Sequence, residues 1–147
     1  MAGELLVHLN VSTTGTDADW IVKLVDGHPA VDERPAMREM VRSEVMRARF
    51  RAGFESPKPF IPGTPTVVEV PLQGVLHTFK KGHRVVLHVQ SSWFPLIDLN
   101  PQTFVPNIYR APSEAFQSQR HAVHHDGLLS SWVTFGWIPD GEVSPGD

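Results

Sequence analysis

Three stretches of this sequence carry side chains whose type and spacing could do chemistry. In His121-x-x-His124-His125-Asp126, a strand would put His121 and His125 on one face, where they could chelate a metal together with Asp126 as an oxygen ligand. A polar strand edge accounts for the same residues, and no third ligand is fixed by spacing, so no metal site is assigned. Asp17-x-Asp19 beside Gly15 and Thr16 could offer oxygens to calcium. Asx-turn bonding to the local backbone is the simpler reading. A serine nucleophile of the common kind needs Gly-x-Ser-x-Gly at a strand-to-helix elbow, and no serine here has that setting. Ser91-Ser92 runs into Trp93-Phe94-Pro95 instead of a helix start. The chain therefore offers no catalytic residue and implies no cofactor.

Other residues point to contact with another body. Arg47, Arg49 and Arg51 alternate with Met46, Ala48 and Phe50, which on a strand would make one outward row. Such a row is either a solvated face that guards against aggregation or a docking face for an acidic partner. The segment Trp93-Phe94-Pro95-Leu96-Ile97-Asp98-Leu99-Asn100-Pro101 interleaves large apolar groups, a carboxylate and an amide with prolines, a composition that stiffens a loop at small entropic cost. The expected arrangement is a plug of Phe94, Leu96 and Ile97 below, with Asp98 and Asn100 on top. Trp20, Trp93, Trp132 and Trp137 could make a sugar platform, but three of them fall on expected strands and read as core.

The elements that must hold these residues are strands. Leu5, Val7, Leu9 and Val11 alternate with period two, and Trp20 to Val25 is a second apolar run, giving a hairpin with a long loop. A loop or short helical turn near 36–42 leads to a strand at about 43–51. Phe54 to Thr66 contains four prolines that deny it helix and central-strand bonding, so it is an extended crossover. Strands follow at Thr66 to Leu72, Arg84 to Gln90, His121 to His125 and Ser131 to Ile138, with Val75, Leu76 and Phe79 anchoring the connection between the first two. Residues 93–118 form a long irregular segment, the kind that is usually functional in a compact domain. Seven to eight strands with long connections and at most one short helix fit an all-β jelly-roll sandwich of galactose-binding-like type, spanning 1–138 with a flexible tail at 139–147.

Composition agrees. The 147 residues include 13 prolines and 11 glycines, a density of turn residues that shortens helices. The absence of cysteine excludes disulfides and thiolate chemistry. A formal net charge of −3 gives no footprint for nucleic acid or an anionic membrane. The opening Met-Ala-Gly-Glu lacks the layout of a signal peptide, so the default expectation is cytoplasmic.

Several ordered motifs resemble the C-terminal domain of the X-Pro dipeptidyl-peptidase family, also called the cocaine-esterase/NonD hydrolases. They are Ser12-Thr13-Thr14-Gly15-Thr16-Asp17-Ala18-Asp19-Trp20, Arg47-x-Arg49-Phe50-Arg51, Phe79-Lys80-Lys81-Gly82-His83-Arg84, Ser91-Ser92-Trp93-Phe94-Pro95, Asp98-Leu99-Asn100-Pro101 and Gln102-Thr103-Phe104-Val105-Pro106-Asn107-Ile108. The arginine and 102–108 motifs look closest to the α-amino acid ester hydrolases. The resemblance implies a noncatalytic sandwich that packs on an α/β-hydrolase domain, in the same protein or in trans. The Ser-His-Asp triad lies in that other domain, so none of its residues transfers here. By analogy, Trp93, Phe94, Asp98, Asn100, Asn107 and Tyr109 are expected to face the partner and the active-site cleft. In the family an earlier stretch of the sandwich precedes the first strand seen here. Its absence would leave a sheet edge exposed and favour a homo-oligomer. The alternative reading is a stand-alone ligand-binding sandwich like a carbohydrate-binding module.

Overall fold

The structure is a computed structural model, described here for residues 1–139. The tail expected to be flexible lies outside the described residues from position 140 on. Seven strands run in chain order: β1 Ala2–Thr13, β2 Asp19–His28, β3 Met37–Arg47, β4 Thr66–Leu76, β5 Arg84–Gln90, β6 His121–His124 and β7 Trp132–Phe135. The only helical elements described are four 3-10 turns of three residues each. None is long and apolar enough to cross a membrane.

Two antiparallel sheets face each other. In one, β1 lies between β4 and the pair β6 and β7, which share its far side: β6 pairs residues 10–13 of β1, and β7 pairs residues 5–8. In the other, β2 is central between β3 and β5. The core forms where the alternating faces meet, with Leu5, Val7, Leu9 and Val11 of β1, Val68, Val70 and Leu72 of β4, and Trp20, Val22 and Leu24 of β2. Burial of alternate residues on facing sheets is the arrangement that period-two patterning specifies. The expected all-β sandwich is the fold observed.

Three local expectations are corrected. First, β1 and β2 are not a hairpin, because they belong to different sheets. Residues 14–18 form an arch across the top of the core, and its Asp17 and Ala18 are fully buried. Second, no helical turn occupies 36–42. β3 begins at Met37 and ends at Arg47, with an irregularity opposite Leu24 and Val25 that shifts the side-chain parity. Residues four apart share a face on a strand as well as on a helix, so the spacing of Met37, Val41 and Val45 fits both, and the shift shows instead in Val41 and Met46 both packing on the core. Third, β4 runs on to Leu76, where Val75 and Phe79 meet the core while Leu76 is exposed. At the C-terminal end Trp132 and Trp137 are exposed rather than core, and Trp132 stacks on His8 with ring centroids 3.7 Å apart.

Candidate functional site

The arch end of the sandwich carries a buried polar network. Arg49 follows β3 in a 3-10 turn, and its guanidinium binds Asp17 through Nε at 2.8 Å and Nη2 at 2.7 Å. Asp19, at the start of β2, accepts from Asn100 Nδ2 at 2.8 Å and lies 3.5 Å from Arg47 Nη1. Burial pushes the Asp19 carboxyl up to about 6, against the Asn100 hydrogen bond and the Arg47 charge. Burial likewise raises Asp17 despite Arg49. Neither carboxylate is open to a calcium ion, since both are turned inward onto side chains of the chain itself.

This network fixes the long loop. Asn100 Oδ1 accepts from the Gln102 amide at 2.7 Å, the Gln102 carbonyl accepts from the Thr16 and Asp17 amides, and Thr16 Oγ1 accepts from Phe104 N at 2.8 Å. The Arg49 guanidinium lies over the Phe104 ring at 4.5 Å. The proline crossover joins in through Phe60, whose amide donates to the Thr16 carbonyl and whose ring lies under Arg51. A loop held by so many internal bonds presents a fixed surface.

That surface keeps Asp98 outside and Ile97 half-buried as expected, but reverses the places of Phe94, Leu96 and Asn100. Phe94 is 65% exposed, Leu96 67% and Tyr109 74%, whereas Asn100 is buried. The apolar groups stand outside and the amide is the anchor. Trp93 is half-buried against the outer face of β2, with the Lys23 ammonium 3.7 Å from its ring centroid, so a cation covers the face a sugar would need. Tyr109 Oη donates to Asp98 Oδ2 at 2.9 Å, which raises its hydroxyl above the ordinary value. Asn107 Oδ1 accepts from the Tyr109 amide at 2.9 Å and caps the turn that carries this ring.

The three arginines form no outward row. The strand ends at Arg47, so the alternation read from the sequence fails at the next residue. Arg47 reaches Asp19 and Asp98, Arg49 is buried on Asp17, and Arg51 donates to the carbonyls of Ala48, Lys58 and Pro59. Their charges are engaged within the fold. The histidine motif also comes apart: His121 lies edge-on to Trp20, His124 bonds Ser12 Oγ, and His125 and Asp126 are exposed. Burial lowers His121 below its ordinary value.

A second polar cluster sits at the opposite end of the core and escaped the sequence reading. Asp26 continues the inward series Trp20, Val22 and Leu24, and it is 2% exposed. His77 Nε2 and His83 Nδ1 each bond one of its oxygens at 2.9 Å. Burial pushes Asp26 up, but the two imidazole hydrogen bonds and the His83 charge outweigh it and hold the carboxyl below its ordinary value. A carboxylate at an inward position of an apolar strand, with histidines at the ends of two neighbouring strands, was the available signal.

Comparisons with known proteins agree with this architecture. Residues 1–134 match the family model described as the X-Pro dipeptidyl-peptidase C-terminal non-catalytic domain. Cocaine esterase of Rhodococcus sp. (strain MB1 Bresler) is 30% identical over 103 residues, which is 70% of this chain and 17% of that enzyme. Among solved structures, an aminopeptidase from a marine sediment archaeon, Thaumarchaeota archaeon, superposes with a TM-score of 0.85 at 41% identity, covering 90% of this chain and 22% of the other. An α-amino acid ester hydrolase gives a TM-score of 0.85 at 39% identity, covering 89% of this chain and 22% of the other. The chain thus spans about a fifth of the length of these relatives, and it belongs to the X-Pro dipeptidyl-peptidase C-terminal non-catalytic domain family.

Proposed function

We propose that the chain serves as the accessory sandwich of a serine hydrolase of the peptidase or amino acid ester hydrolase class, docking on an α/β-hydrolase domain through the surface of residues 93–109 and shaping its active-site cleft. The observation that carries this reading is the outward display of Phe94, Leu96 and Tyr109 on a loop pinned by Asn100 to the buried Asp19. Large apolar groups on a rigid support, with Asp98 and Asn107 among them, combine the anchors and the polar rim that interfaces use. Membership of a non-catalytic domain family, and the larger hydrolase chains in which its relatives occur, support the same assignment.

A domain exchange tests it. This chain replaces the matching C-terminal segment of the α-amino acid ester hydrolase, and ester hydrolysis is assayed with and without Phe94→Asp and Leu96→Asp. The expected result is an active chimera that loses activity about tenfold or more when both charges enter the interface. Equal activity with and without them contradicts the docking surface. A homo-oligomer belongs to the same reading, because β5 is bonded to β2 alone among the described strands and offers a free edge. Light scattering at high concentration should give more than the monomer mass, and a monomer overturns that part.

A further inference from the structure

The polar cluster at the far end from the docking loop has the make-up of a metal site. Asp26 and His28 lie on the same side of β2, the register sets Glu39 of β3 opposite Asp26, and His83 arrives just before β5. Suitable ligand atoms of Asp26, His28 and His83 all fall within 4.8 Å of one another. His83 Nδ1 is 2.9 Å from Asp26 Oδ1, His28 Nε2 is 3.7 Å from Asp26 Oδ2, and His28 Nε2 is 3.1 Å from Glu39 Oε2. A tetrahedral ion with bonds of about 2.0–2.2 Å sets its ligand atoms roughly 3.3–3.6 Å apart, so the His83–Asp26 pair needs to open slightly and the His28–Asp26 pair to close slightly to receive one. The His28 and His83 rings already lie side by side, with centroids 4.4 Å apart.

We propose that Asp26, His28 and His83 bind a divalent transition-metal ion, zinc by choice, with solvent filling the fourth position. Two imidazoles with one carboxylate favour zinc over calcium or magnesium, which prefer all-oxygen shells. His77 holds Asp26 Oδ2 at 2.9 Å, the outer hydrogen bond that orients a ligating carboxylate. An open cleft of about 440 Å³, lined by His28, Val31, Arg34, Pro35, Met37 and His83, gives an ion a way in. This site is independent of the docking reading, since none of its residues belongs to the 93–109 loop.

The test is zinc binding by the tag-free 147-residue chain, read by metal content after gel filtration, by calorimetric titration and by the visible spectrum of the cobalt-substituted protein. His28 is partly exposed, so His28→Ala leaves the core intact, and His125→Ala is the control. The expected result is one zinc per chain, tetrahedral cobalt bands, and affinity weakened about tenfold or more by His28→Ala but unchanged by His125→Ala. No retained zinc, or the same loss on removing His125, overturns the proposal.

Discussion

At the residue scale, the 93–109 loop rests on two buried carboxylates that cost free energy to keep charged. Asp17 is satisfied by Arg49, and removing one partner of such a buried pair costs about 3–5 kcal/mol because the other is left unpaired. Asp19 has the weaker arrangement, one amide donor and an arginine at 3.5 Å, and its proton is held up to about 6 instead of the ordinary 3.8. Between those values the native state binds more protons than the unfolded chain. The contribution of Asp19 to stability is therefore full below about pH 4, falls as pH rises through 6, and levels off above, by on the order of 3 kcal/mol at most. Urea unfolding at a series of pH values should show this decline as the difference between the native sequence and Asp19→Asn, since Asp26 and His121 act in the opposite sense in both. Identical profiles would mean that the Asp19 carboxyl is not buried as described. The sequence showed the composition of the 93–101 loop but not its polarity. Prolines and apolar residues mark a stiff loop whichever way it faces, and the direction is decided by Asn100 finding Asp19, 81 positions away.

At the element scale, the arch between β1 and β2 is what turns a short sequence into two sheets. Gly15 sits where the arch meets the long loop, and a Cβ there would run into the Gln102 carbonyl and the Gln119 side chain. Gly15→Ala should destabilise the chain by about 1–3 kcal/mol and loosen the loop, seen as a lower thermal midpoint. An unchanged midpoint would show that the two segments do not touch. The strands themselves were legible, because alternation in β1 and β4 reports one buried face. Their partners were not. A hairpin and an arch place the same alternating runs at the two ends of a polar loop, and the difference lies in the burial of Asp17 and Ala18. β3 was misread at both ends for a related reason: its irregularity near Arg42 shifts the alternation, and the chain leaves the strand at Arg47 while the arginine spacing continues. The Asp26 cluster stayed hidden because His77 and His83 lie 51 and 57 positions from Asp26 and reach it only when β2, β4 and β5 are assembled.

At the scale of the whole molecule, the sandwich has two unlike ends. One carries a rigid loop with aromatic and aliphatic groups outside, and the other a carboxylate ringed by histidines. The outer face of the β1 sheet adds exposed Leu6, Val67 and Trp132, a second apolar area against which the docking claim can be judged. Hydrogen exchange separates the two surfaces directly. In the domain-exchanged hydrolase, compared with the isolated 147-residue chain, backbone amides in 93–99 and 107–111 should become protected while those of β7 stay as they were. Protection confined to β7 and its neighbours, with the 93–109 loop exchanging as in the isolated chain, would contradict the assignment of that loop as the docking surface.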